Sequence, residues 1–321
     1  MMAGRGAAGV ATGLVGAAAF ATSGPMVKPL LAIGWTPGGA VLVRLTMGAL
    51  LLAVPAVLAV RGRIGVIAAH WRLVVAFGLF GVAASSTLFY LAVDRLTVAV
   101  TLLVEYTGPL LLIGWAWLRT GRAPAPRTLA GAALAMGGLV LVLDVAGAVH
   151  LDTLGLAFAS LAALGNAAYF AFMGVPSALP PVALAGSAMA VAALAVGALA
   201  LIGVLPVHLV AAPVTMAGGQ VSWWVPVLVV GVVPTAFAYG ISSVSVRLLG
   251  DQVASFVALA EVLFAVLFAW AVLGEAPAAA QGLGAVLVVA GVALVRRASA
   301  VPAGQPVPVD EPAIAAEPVP A

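Results

Sequence analysis

The chain has 321 residues, of which 64% are apolar and 7% charged, with a net charge of +3 and a mean hydropathy of +1.25. Soluble domains carry roughly 25% charged residues, so no water-soluble fold hides this much apolar surface. The basic excess lies in short loops between apolar runs, which argues against a nucleic-acid surface, and the absence of cysteine excludes disulfides and thiolate metal sites.

The apolar runs recur at roughly 18–24 residues, the length of a helix that crosses a ~30 Å hydrocarbon core. The opening stretch, MMAGRGAAGVATGLVGAAAFATSG, has the basic residue, apolar run and small residues of a signal peptide. Apolar character resumes at once through Met26 to Ile33, so it reads instead as a first transmembrane helix, at about 8–33. Breaks at Gly/Pro clusters and charges place nine more, at about 38–60, 73–93, 96–118, 128–145, 153–174, 181–204, 222–246, 252–273 and 277–295. The expected fold is therefore an all-α integral membrane bundle of ten helices. Most connections between them are short. Beyond Arg297 the segment VPAGQPVPVDEPAIAAEPVPA has no apolar period and reads as a disordered Pro/Ala-rich cytoplasmic tail, residues 298–321.

Orientation follows from the basic residues. Arg5, Arg61, Arg63, Arg72, Arg119, Arg122, Arg127, Arg247, Arg296 and Arg297 fall on one side and Arg95 on the other, while Lys28 and Arg44 lie within spans. Both termini are then cytoplasmic. Tryptophan favours the two interfaces, and Trp71, Trp115 and Trp117 fall at predicted cytoplasmic ends, whereas Trp35, Trp223, Trp224 and Trp270 fall at external ones.

Residues 121–142 (GRAPAPRTLAGAALAMGGLVLV) lie over 274–295 (GEAPAAAQGLGAVLVVAGVALV) without a gap, matching Gly121 with Gly274, Pro124 with Pro277, Gly131 with Gly284 and Gly138 with Gly291. One copy closes the fifth span and the other the tenth. Two repeats of five spans, residues 1–145 and 146–297, must have opposite orientation. Inverted repeats are a device of secondary transporters, whose site lies near the midplane between the halves.

The ending AEVLFAVLFAWAVLGEAPAAAQGLGAVLVVAGVALV, with Glu261, Leu273-Gly274-Glu275 and Gly282-Leu283-Gly284, resembles the EamA-domain permeases of the drug/metabolite transporter superfamily. The first half is looser: VEYTGPLLLIGWAWLRTGR carries Glu105, Gly108 and Pro109, with Gly121-Arg122 in place of Gly-Glu. That variant resembles members likened to amino-acid exporters of the threonine/homoserine type. The resemblance implies an efflux permease of the bacterial cell membrane and is specific for the family rather than for a substrate.

Glu105 and Glu261 each lie about nine residues into their spans, roughly 14 Å at 1.5 Å per residue, and so reach the midplane. The repeat alignment pairs Glu105 with Ala258, one turn from Glu261. Polar stripes accompany them: Thr101, Glu105 and Pro109 on span four, Ser86, Tyr90 and Asp94 on span three, Thr235, Tyr239 and Ser242 on span eight, and Asn166 with Tyr169 on span six. All four tyrosines fall within predicted spans. Intramembrane carboxylates are costly and mark substrate pathways or proton relays. The substrate or proton pathway is therefore expected at Glu105, Glu261, Tyr90, Tyr239, Asn166, Tyr169, Thr101 and Ser86. Lys28 and Arg44 are the candidate charge partners, although hydroxyls and amides in bundles often serve packing alone. Gly9 and Gly13 have the spacing of a close helix contact, and the Gly-rich spans five and ten are candidates for an intersubunit face in a homodimer.

Enzyme chemistry finds no support in the sequence. His70, His150 and His208 belong to no metal-spacing pattern, and the one lysine, Lys28, follows Val27 rather than the glycine of a P-loop. No cofactor or metal is expected. The reading is a secondary active transporter, a proton-coupled exporter of small metabolites or amino acids. Its rivals are a membrane-embedded enzyme and a membrane scaffold without transport activity.

Overall fold

The computed structural model describes residues 2–96, 98–143, 152–216, 218–273 and 278–299. Nine of its helices are long and apolar enough to cross a membrane: α1 (Gly6–Ala32), α2 (Pro37–Ala59), α3 (Trp71–Val93), α4 (Ala99–Thr120), α6 (Thr153–Gly174), α7 (Pro181–Leu201), α8 (Trp224–Leu249), α9 (Asp251–Phe268) and α10 (Ala279–Ala298). Between α4 and α6 lies a shorter apolar helix, α5 (Pro126–Val142). The expected ten long helices are thus nine and one of 17 residues among the described residues. Gly274, Glu275, His150 and the tail beyond Ser299 lie outside them.

Local chemistry sets the ends. Thr36 caps α2, accepting from the Gly39 amide at 3.2 Å, with Pro37 in the first turn. Asp152 caps α6, accepting from the Gly155 amide at 2.6 Å. Gly121, at φ 66°, ends α4, and Gly250, at φ 82°, turns the chain between α8 and α9.

The bundle is all-α, with one short strand pair among the described residues. Between α7 and α8 the chain forms a strap that contains a small antiparallel hairpin, β1 (Val214–Met216) and β2 (Gly219–Val221), with Thr215 opposite Gln220. The strap lies across the α1–α2 turn: Trp35 Nε1 donates to the Val210 carbonyl at 2.8 Å, and Thr36 Oγ1 donates to the Pro206 carbonyl at 2.8 Å. Trp35 is therefore buried under protein rather than anchored in an interface, whereas Trp71, Trp115, Trp117 and Trp224 are exposed.

Packing displays the repeat. Helix α1 packs on α8 and its counterpart α6 packs on α3; α4 packs on α6 as α9 packs on α1. Helices α2 and α7 pack on each other, as do α5 and α10, so each of those pairs is its own counterpart under exchange of the halves. This is the arrangement of two five-helix units related by a pseudo-twofold axis. The Gly9–Gly13 spacing marks the α1–α8 contact, where a Cβ on Gly9 would lie 2.7 Å from Leu249 and one on Gly13 2.7 Å from Ser245. The glycines of spans five and ten divide. Gly131 faces the Gly291 carbonyl and Gly138 the Gly284 carbonyl, closing an intrachain seam, whereas a Cβ on Gly137 or Gly282 would meet nothing within 4 Å.

The helices are broken at corresponding points. Helix α4 is interrupted after Glu105 and resumes at Gly108, and α9 is interrupted after Ala258 and resumes at Ala260. The offset of 153 that joins the sequence repeats carries Tyr106 onto Leu259. Helices α3 and α8 each contain a π-helical segment, Phe77–Ala84 and Val232–Phe237. The same offset brings the second onto residues 79–84.

Candidate functional site

Proline explains the interruption beside Glu105. Pro109 has no N–H to offer the carbonyl four residues earlier, which is that of Glu105. The amides that follow turn to nearer carbonyls: Thr107 donates to Val104 at 3.1 Å and Leu110 to Thr107 at 2.9 Å. Pro25 acts likewise in α1, where the helix breaks at Ala21 and Thr22. In α8, Pro234 leaves the Val230 carbonyl without its helical donor, and the Thr235 hydroxyl fills that place at 2.6 Å.

These breaks surround a cavity of about 190 Å³. Its lining includes Glu105 from α4, Glu261 from α9, Arg44 from α2, Tyr90 from α3, Asn166 from α6 and Tyr239 from α8. Ser86, Tyr169 and Lys28 complete the sequence-predicted residues that the fold brings to it. The two carboxylates are half-buried and close enough for their charges to interact. Asn166 neighbours Glu105, and Tyr106 neighbours Glu261. Asn166 Oδ1 and the Tyr169 hydroxyl are buried with no hydrogen-bond partner among the described residues. The tyrosines form one aromatic wall, with Tyr169 5.5 Å from Tyr239 and Tyr239 5.2 Å from Phe20, between ring centroids.

Other candidates fall elsewhere. Thr101 is fully buried and lies off the cavity, because the interruption in α4 splits the stripe that would join it to Glu105 and Pro109. Asp94 ends α3 exposed to the surroundings. Thr235 and Ser242 sit behind the wall, Ser242 against Gly16 of α1. Neither expected cation forms an ion pair with a glutamate. Lys28 is exposed at the cavity rim, and Arg44 is buried but has no carboxylate oxygen within 4 Å; among the described residues the ion pair is Arg95–Asp152, at 3.6 Å. Arg44 instead donates from Nε to Thr235 Oγ1 at 3.1 Å and from Nη1 to the Tyr90 hydroxyl at 3.3 Å.

One site residue stands apart from the predicted stripes. Tyr106 is buried, lines the cavity and faces Glu261. Its signal in the sequence is the Gly108-Pro109 pair, which releases the chain from helical register just where Tyr106 follows Glu105.

The cavity occupies the half of the bundle nearer the α1–α2 and α3–α4 turns, since its rim includes Lys28, Leu31 and Val93. The other half is closed by glycine contacts: Gly9 and Gly13 against α8, and Gly174 against Asp251 at the start of α9. The arrangement can hold a small molecule with a cationic group between two carboxylates, deep in a multi-pass bundle and accessible from one face.

Among curated proteins no sequence matches significantly. One solved structure, described only as "Crystal structure of protein", shares the fold with a TM-score of 0.71 at 20% identity, over 89% of this chain and 96% of the other. The family model described as the EamA-like transporter family matches twice, at residues 7–144 and 153–297, once in each half of the inverted bundle. With nearly the whole membrane region covered by two copies, the chain belongs to the EamA-like transporter family.

Proposed function

We propose that this chain is a secondary active transporter that exports small metabolites or amino acids across the bacterial cell membrane in exchange for protons. One observation carries the reading: Glu105 and Glu261, from equivalent helices of the two halves, meet at helix interruptions on a single cavity. Broken helices at the interface of inverted repeats are where such transporters bind substrate and coupling ions. Glu261 stands in the first turn of a half-helix, beside the positive end of its dipole, and Glu105 closes a half-helix, beside a negative end. A substrate ammonium or a proton relieves the repulsion between the two carboxylates. Release of one for the other then couples the two fluxes.

In this reading α5 is a tenth crossing, both termini are cytoplasmic, and the cavity faces outward. The glycine-tight contacts of α1 with α8 form the closed inner side. Alternating access exchanges the closed and open ends by rocking one half against the other.

The test is transport by purified protein in proteoliposomes, with radiolabelled threonine, leucine and phenylalanine, with and without a pH gradient. Flux above protein-free vesicles that rises with the gradient is the expected result. Equal flux with and without a gradient would remove proton coupling, and no flux of any substrate would remove the transport reading.

A further inference from the structure

We infer that Arg44 is the anion-binding residue of the cavity, so that the transported molecule carries an acidic group, such as a carboxylate, besides the amine held by the glutamates. This rests on the transport reading above and adds the second half of the substrate's chemistry.

Arg44 is only 8% exposed, and its guanidinium is always charged. A buried charge needs a partner of opposite sign or a full set of hydrogen bonds. Arg44 has neither. Its two acceptors, Thr235 Oγ1 and the Tyr90 hydroxyl, are neutral and use two of the five N–H donors that a guanidinium carries. Nη2 has no partner among the described residues, and the group lines the cavity.

The orientation is built rather than incidental. Pro234 frees the Val230 carbonyl, and the Thr235 hydroxyl gives its proton to that carbonyl, so its oxygen can only accept from Arg44 Nε. Tyr90 holds the other edge of the guanidinium. Arg44 is thus fixed from α8 on one side and α3 on the other, one helix from each half, with its remaining donors free. A planar fork held this way fits a carboxylate by two parallel bonds.

The repeat supports the same conclusion. Helices α2 and α7 begin at Pro37 and Pro181, so the position on α7 that corresponds to Arg44 is Ala188, which is buried. The cation is present in one half alone, while a carboxylate comes from each half. A single arginine faces the two glutamates across the cavity without closing an ion pair to either. A substrate with opposite charges at its two ends fits between them.

The test compares L-threonine, L-leucine and L-phenylalanine with their carboxamides, which keep the amine and lose the acid. Wild-type protein in proteoliposomes should take each acid with a lower KM than its amide. In Arg44→Gln the ratio of amide KM to acid KM should fall by about 10- to 100-fold, the range of a lost charge-assisted pair. Arg44→Lys keeps the charge without the fork and should fall between. Equal handling of acid and amide by the wild type overturns the proposal while leaving transport intact. So does a ratio in either variant within twofold of the wild type. If the wild type moves none of the six compounds, the transport reading falls and takes the proposal with it.

Discussion

Replacing Gly138 by alanine tests the seam on which the two halves meet. A Cβ there would sit 2.5 Å from the Gly284 carbonyl oxygen, 2.7 Å from the Val288 amide nitrogen and 2.9 Å from Leu287 Cβ. Two of these are backbone atoms, so no rotamer change relieves the contact. Helices α5 and α10 must part by about 0.9 Å before the nearest contact reaches an ordinary 3.4 Å. Overpacking of this kind costs roughly 1–3 kcal/mol, and contact with backbone puts it near the top of that range. The gain in helix propensity from glycine to alanine returns about 1 kcal/mol, which leaves a net loss of about 2 kcal/mol. The next residue supplies the control. Gly137 is exposed, and a Cβ there meets nothing within 4 Å, so Gly137→Ala keeps only the propensity gain. Unfolding of the detergent-solubilised protein by increasing SDS should place the two variants on opposite sides of the wild type. Gly131→Ala, which meets the Gly291 carbonyl at 2.8 Å, should resemble Gly138→Ala. Identical midpoints for the variants at 137 and 138 would refute close packing of α5 on α10.

Glu105→Gln and Glu261→Gln keep the shape and remove the titration; both should insert normally and lose transport driven by a pH gradient, with Glu→Asp milder at each site. Wild-type rates with an unchanged pH profile in both Gln variants would reduce the carboxylates to packing groups. Tyr106→Phe removes the hydroxyl that faces Glu261 and should shift the pH profile of transport while leaving protein yield unchanged; an unshifted profile would separate Tyr106 from the coupling step. Thr36→Val deletes the cap of α2 and two bonds to the strap, a loss of about 1–2 kcal/mol, and should speed proteolysis within 205–210; unchanged cleavage would show the strap is held elsewhere. A reporter active only outside the cytoplasm, fused after Arg297, should be silent, and activity there would reverse the orientation drawn from the arginines.

Much of this fold is written in run length and punctuation. Apolar stretches bounded by Pro37, Pro126 and Pro181 become helices that begin at those residues, because proline needs no donor in a first turn. The matched glycines of 121–142 and 274–295 disclose the repeat, and their partners follow only once the halves are set antiparallel. What pattern could not supply is the effect of departures from helix. An unbroken helix sets Glu105 and Tyr106 about 100° apart and stacks Thr101 on Glu105. The break at Pro109 reverses both relations, bringing Tyr106 to the cavity and leaving Thr101 outside it. Arg44 was visible as an intramembrane charge, but its neutral partners come from α3 and α8, far away in the chain, and no local spacing encodes them. The strap between α7 and α8 has no period of its own; its place is fixed by Trp35 and Thr36, 170 residues or more away.

The π-helical segments of α3 and α8 set how each half presents its side chains to the cavity. A π turn holds one residue more than the α-helical turn it replaces, so it behaves as a point insertion that rotates all later side chains by about 100°. Tyr90 in one half and Tyr239 in the other reach the cavity only after such a rotation. The two π-helical segments overlap under an offset of 153, so both halves carry the same departure from the α-helix ahead of their cavity tyrosines. The lone arginine on α2, with alanine at the equivalent place on α7, breaks the symmetry that the π segments keep, and makes the two walls of one cavity chemically different.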